Sequence, residues 1–163
     1  AIAKDFNISR SKIDRKVHPR EKTLTLNVNI PDLFTTGGTA RISYLLGHKS
    51  RKLMQVNVHW GAGASKNFKG QSIVDTANIL RDHLNKKKYK DEGFVLNGQI
   101  SPTQLMVFRG SDKKARMNTL ILTTPKIKEG ENTKVIEEKI SLILSYIADP
   151  GNPDVLSIEE GMF

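Results

Sequence analysis

Four histidines, His18, His48, His59 and His83, and a complete lack of cysteine bound the metal and nucleophile chemistry open to this 163-residue chain. No two of the histidines stand at metal-ligand spacing, so a metal site would need separate elements to bring them together. Without cysteine there is no disulfide, no thiolate ligand and no sulfur nucleophile. A serine nucleophile finds no Gly-x-Ser-x-Gly turn to present it. The acidic pairs Glu137-Glu138 and Glu159-Glu160 are sequence neighbours, and helical neighbours point about 100° apart, so neither forms an acid/base pair by itself. Gly61-Ala62-Gly63-Ala64-Ser65-Lys66 lies between a strand and a helix, where phosphate loops sit. Lys66 occupies the place of the third glycine of a dinucleotide loop, and the Gly-Lys-Ser/Thr ending of a P-loop is missing. The free amides of the following helix, expected to start at Ser72, could still hold an anion with help from Lys66 and Lys69. No catalytic or metal-ligating set and no cofactor are expected, and the chain reads as non-enzymatic.

The chemistry that remains is charge. The chain carries +9 at pH 7, yet its last fifteen residues hold Asp149, Asp154, Glu159 and Glu160 and no Lys or Arg, so residues 1–148 carry four units more, +13. A field of that sign attracts phosphate backbones, acidic lipid surfaces or acidic proteins. The candidate contacts fall in four clusters: Arg15, Lys16 and Arg20; Lys49, Arg51 and Lys52; Lys86, Lys87 and Lys88; Lys113, Lys114 and Arg116. Nucleic acid binding would add aromatic side chains for stacking. Tyr44, Trp60 and Phe108 instead sit at strand positions that look buried, and no RNP-like or helix-turn-helix pattern accompanies them. A protein partner or larger assembly is therefore the leading expectation, and nucleic acid the alternative. A second candidate surface is the polar strand face of Gln55, Asn57 and His59, which Thr25, Asn27 and Asn29 extend into a panel if the first and third strands pair. The favoured reading of that panel is the plain solvent face of an antiparallel sheet.

These residues need elements to position them. Residues 1–22 read as a basic arm, either solvated or forming a short helix over 9–17, and Pro19 interrupts it before the first strand. Leu24, Leu26, Val28 and Ile30 alternate with polar residues in a strand that stops at Pro31. Thr35–Thr39 is a turn-rich loop. Ile42–Leu46 and Met54–Trp60 form two further strands around a basic connection, 47–52. A helix is expected from Ser72 to about Lys88, with Ile73, Ala77, Leu80 and Leu84 on its inner face. Phe94–Leu96, Leu105–Phe108 and Arg116–Thr124 supply three more strands, the last two joined by a turn at Gly110–Lys114. A second helix is expected after Thr133, because Ile136, Ile140, Ile143, Leu144 and Ile147 fall at helical spacing. Asp149–Pro153 ends it, and the acidic tail, 149–163, carries enough apolar residues to dock.

The expected fold is one α+β domain over 23–148: a mostly antiparallel sheet of about six strands packed with two helices, in the order βββα-βββα. No stretch is long and apolar enough to span a bilayer. The opening strand that ends at proline (Leu24 to Pro31), Leu53–Val58, the Ser72–Lys88 helix, the paired strands Leu105–Phe108 and Asn118–Thr124, and the closing helix resemble, in order, the PsbP-like and DcrB-like exported proteins. The resemblance implies an accessory or binding role in an exported, periplasmic assembly. It carries over no functional residue. The small apolar start Ala1-Ile2-Ala3 points the same way, toward a mature exported terminus; a cytoplasmic setting is the alternative.

Overall fold

The computed structural model describes residues 2–34 and 38–156. Thr35 to Gly37 of the expected loop, and residues 157–163 of the tail with Glu159, Glu160, Met162 and Phe163, lie outside the described residues. A one-turn helix α1 (Ile2–Asp5) and a 3₁₀ turn (Arg10–Lys12) precede four strands: β1 (Asp14–Val17), β2 (Leu24–Ile30), β3 (Ala40–Leu46) and β4 (Leu53–Gly61). Helix α2 (Gly70–Asn85) follows, then β5 (Val95–Ser101), β6 (Gln104–Ser111) and β7 (Met117–Thr123). A small hairpin of β8 (Lys126–Glu129) and β9 (Asn132–Val135) leads through a 3₁₀ turn (Glu137–Lys139) to β10 (Ser141–Ile147).

The eight strands of the main sheet lie in the order β1-β2-β3-β4-β10-β7-β6-β5, antiparallel throughout. Two meanders, β1–β4 and β5–β7, are thus joined side by side through β10, the last strand among the described residues. This corrects the expected six strands and two helices. The segment over 136–147, expected as the second helix, contains a short 3₁₀ turn and then β10. Its apolar residues satisfy a helical period, but they also give apolar character to both faces of a strand: Leu142, Leu144 and Tyr146 on one side, Ile143 and Ile147 on the other. The two faces are not buried alike: Leu142 is fully buried, while Ile143 on the open face is 37% exposed. β10 lies between β4 and β7, pairing Leu142 with Trp60 on one side and with Leu122 on the other.

One face of the sheet holds the core. Trp60, Phe108, Leu120 and Leu142 are fully buried there beneath Ile73, Ala77, Leu80 and Leu84 of α2. Those four helix residues are the inner face expected from the sequence. The helix starts at Gly70 rather than Ser72, and Lys69 precedes it without a side-chain cap. A Cβ at Gly70 would stand 2.8 Å from Ile140 Cδ1, so glycine there lets the Ile140 side chain pack closely against the start of the helix. Over β2–β4 the same face is covered by Ile2, Phe6 and Ile8, which pack on Val28, Ile30 and Ile42. The expected arm thus lies partly on the sheet, and residues 14–17 form its edge strand in place of a basic helix. The opposite face carries no helix among the described residues. Among the described residues no helix is long and apolar enough to cross a membrane.

Candidate anion-binding end of the sheet

Antiparallel connection sorts loops by parity: each turn lies at the opposite end of the sheet from the one before it. The turns β1–β2 (18–23), β3–β4 (47–52) and β6–β7 (112–116) therefore share one end. Helix α2 starts at the far end, beside Ile140, and runs back along the sheet, so the segment after it (86–94) arrives at this same end. Its arrival is fixed by a hydrogen bond from the Lys90 amide to the Ser111 carbonyl at 2.8 Å. These four segments carry most of the basic clusters. Arg20, the Lys49–Lys52 group, Lys86–Lys88 and the Lys113–Arg116 group are all delivered to one end. The far end is mixed in charge: the β8–β9 hairpin and the turn after it set Lys126, Lys128, Lys134 and Lys139 against Glu129, Glu131, Glu137 and Glu138.

Arg15 and Lys16 stand apart from this group. They sit within edge strand β1. Lys16 pairs with Asp14 at 3.2 Å, and Arg15 lines a recess of about 680 Å³ with Ile2, Leu26, Tyr44 and Leu53 beneath the N-terminal segment. Burial pushes the Tyr44 phenol up, with a smaller push from the Asp5 carboxylate.

The loops of the basic end are held stiff by two carboxylates. Asp154, from the tail, accepts the Lys49 amide (3.1 Å), the Ser50 amide (2.8 Å) and the Ser50 hydroxyl (2.6 Å). The Ser50 side chain and these amides hold its carboxyl down at about 2. A Cβ on Gly47 would collide with this carboxylate, so the turn needs glycine there. The tail runs on from this clamp, and the Leu156 amide donates to the Glu21 carbonyl at 2.9 Å. Asp112 does the same work in the β6–β7 turn. It accepts the amides of Lys114 (2.8 Å) and Arg116 (3.0 Å) through Oδ1 and Arg116 Nε (2.7 Å) through Oδ2. The Arg116 side chain is the first cause of its lowered pKa. Lys22, Arg51 and Ala115, one in each of the three hairpin turns, are non-glycine residues with positive φ (56°, 56° and 59°).

Among the described residues the ion pair at this end is Asp112–Arg116 (2.6 Å); the Glu21 carboxylate lies 3.8 Å from His18 Nδ1, which accepts the Glu21 amide at 3.1 Å. The lysines of the four segments have no carboxylate within ion-pair range among those residues, and they are exposed. Sequence reading found these cations but missed the two residues that order their turns, Asp112 and Asp154. The Asp-Lys-Lys-Ala-Arg run was a usable signal, since an aspartate opening a tight turn accepts the amides two and four residues on.

Asn27, Asn29, Gln55, Asn57 and His59 share the open face, with β3 between the two strands that carry them. The direct pairing of those strands on which the panel was conditional does not occur; Arg41, Ser43 and Leu45 lie between. Ser43 Oγ donates to Asn27 Oδ1 at 2.6 Å, and Gln55 Nε2 to Asn57 Oδ1 at 2.8 Å. His59 is half-buried under the Gly63 loop, and its Nε2 has no hydrogen-bond partner. Burial lowers its pKa, Arg41 lowers it further, and a hydrogen bond with the Ala62 backbone partly offsets both. Among the described residues no three His, Asp or Glu side chains gather where they could hold a metal ion. Trp60 and Phe108 are fully buried and unavailable for stacking. Comparison of the chain with protein-family models, with curated proteins and with solved structures finds no match.

Proposed function

We propose that the protein is a non-catalytic docking module that seats the basic end of its sheet on an acidic protein surface of a larger assembly. The carrying observation is the delivery of three lysine-rich segments and Arg20 to one end, with two of the loops stiffened by Asp112 and Asp154. Charge of one sign on rigid loops raises encounter rates and lowers the ordering cost of docking. Trp60 and Phe108 are buried and leave Phe94 as the exposed ring in the four basic segments; successive bases of single-stranded nucleic acid want several such rings, so a protein surface is favoured. The exported setting implied by the resemblance belongs to the same proposal, and fractionation of the native source tests it.

The decisive experiment compares two variants of equal net charge. One replaces Lys49, Lys52, Lys113 and Lys114 by Gln; the other replaces Lys66, Lys69, Lys126 and Lys128. Binding of polyglutamate should fall at least about tenfold in the first and much less in the second, mainly through slower association. Equal losses would show that only total charge matters and would remove the proposal. A short duplex DNA is the counter-probe: tighter binding to it, with a preference among sequences that survives physiological salt, would move the protein to the nucleic-acid class.

A further inference from the structure

Between the segment after α2, the β6–β7 turn and the end of β10 lies a recess of about 280 Å³, and its walls are rich in hydrogen-bond donors. We infer that this recess, bounded by Lys87, Lys88, Tyr89, Arg116, Asn118 and Tyr146, binds a dianionic phosphate group. The inference deepens the docking reading, because it names the anion that one part of the basic end accepts.

The charge arithmetic favours a dianion. Asp112 also borders the recess, but its charge is matched by Arg116, which reaches Oδ2 through Nε and Nη2 and keeps Nη1 outside that pair. Lys87 and Lys88 then leave two uncompensated positive charges, with no carboxylate in ion-pair range among the described residues. Phosphate presents acceptor oxygens in several directions, which suits two ammonium groups, a guanidinium, two phenols and a carboxamide better than a flat carboxylate does.

The donors are also built into the fold. The Tyr89 ring packs edge-on against Phe108 at 5.0 Å between centroids. A Cβ on Gly110 would stand 2.8 Å from that ring, so glycine at 110 makes room for it. The Tyr89 hydroxyl is shut away from bulk solvent and has no well-aligned hydrogen-bond partner. Asn118 is close enough to draw its pKa down, against a larger upward push from burial. A buried hydroxyl in that state gains a partner when an anionic oxygen arrives. The recess lies past the C-terminal end of α2, where the helix dipole is negative and disfavours an anion. Side-chain charge must therefore supply the binding, which makes the lysines decisive.

Phenyl phosphate titrated into the isotope-labelled protein at physiological salt, with acetate as control, tests the inference by NMR. Saturable shifts are expected at Tyr89, Arg116 and Asn118 with phenyl phosphate only, and binding should strengthen as pH rises through about 6, where the ester becomes dianionic. Tyr89→Phe keeps the ring packing and removes only the hydroxyl; Lys87→Gln with Lys88→Gln removes exposed charge. Each variant should weaken binding about tenfold. The lysine variant should leave the melting temperature unchanged. Inorganic phosphate binding as tightly as the ester assigns the site to the free anion, and tighter binding of the ester assigns it to a phosphomonoester; both support a phosphate site. Shifts spread evenly over all basic loops, or unchanged affinity in both variants, would overturn it. Loss of phosphate binding with polyglutamate docking intact sinks the recess alone. Phosphate binding in a protein whose Lys49/Lys52/Lys113/Lys114 variant docks normally sinks the docking reading alone.

Discussion

At the level of single residues, the acidic side chains at the basic end act as structural clamps. Asp154 is held ionised by Ser50 and the amides of Lys49 and Ser50, so its carboxyl titrates at about 2 rather than near 4. A carboxyl with a depressed folded-state pKa adds stability that is complete above the ordinary carboxylate range and disappears as pH falls toward about 2. Asp154→Ala should therefore speed hydrogen exchange at the Lys49 and Ser50 amides at neutral pH and change little near pH 2. Equal protection in the two proteins at neutral pH would show that the clamp does not order the turn. Arg51 makes the complementary case. Its φ of 56° is a conformation that costs an L-residue about 1–2 kcal/mol and that glycine adopts freely, at the expense of a more flexible unfolded chain. Arg51→Gly should leave the fold as stable or up to about 1 kcal/mol more stable, while slowing association with polyglutamate. A destabilised variant with unchanged association would place the value of Arg51 in packing instead.

Among the elements, β10 separates what the sequence pattern shows from what it hides. Strands β2–β4 and α2 were legible because each has one buried face, which leaves an unambiguous period of two or of 3.6, whereas β1, exposed along its whole length, was read as part of the arm. Ser141–Ile147 is apolar toward both sides, so its pattern fits either period, and only its location between β4 and β7 decides. The two readings assign opposite weights to neighbouring residues. In the strand, Leu142 is fully buried while Ile143 is 37% exposed; on the helix, Ile143 was to be core. Leu142→Ala should cost about 2–5 kcal/mol of unfolding free energy, as buried truncations do, and Ile143→Ala far less; the reverse order in urea melts would restore the helix. The basic loops were legible as cations, but their convergence was not, because parity depends on counting every strand correctly. The N-terminal segment was half legible: its charges stood out, and its sparse Ile2, Phe6 and Ile8 gave no periodic sign of the contacts they make with Val28, Ile30 and Ile42. Deleting residues 1–8 should lower the melting temperature by uncovering that cluster. An unchanged melting temperature would mean those contacts add nothing.

Across the whole molecule, charge and topology are coupled. Strand order sends lysine-rich turns to one end and a mixed hairpin to the other, so the molecule is electrically lopsided along its strand axis. Polyglutamate binding at that end should weaken steadily with added salt, since exposed charges are screened over about 8 Å at physiological ionic strength. The position of β10 has a further consequence, which concerns time rather than charge. Residues 141–147 supply both neighbouring partners of the sheet's middle, β4 on one side and β7 on the other, and they are nearly the last of the described chain to be made. Until they leave the ribosome, two half-sheets each present a long unpaired edge, a state prone to mispairing. Closure of the sheet must wait until β10 is free to pair, and a released chain ending at residue 140 should stay protease-sensitive while one ending at residue 156 becomes resistant.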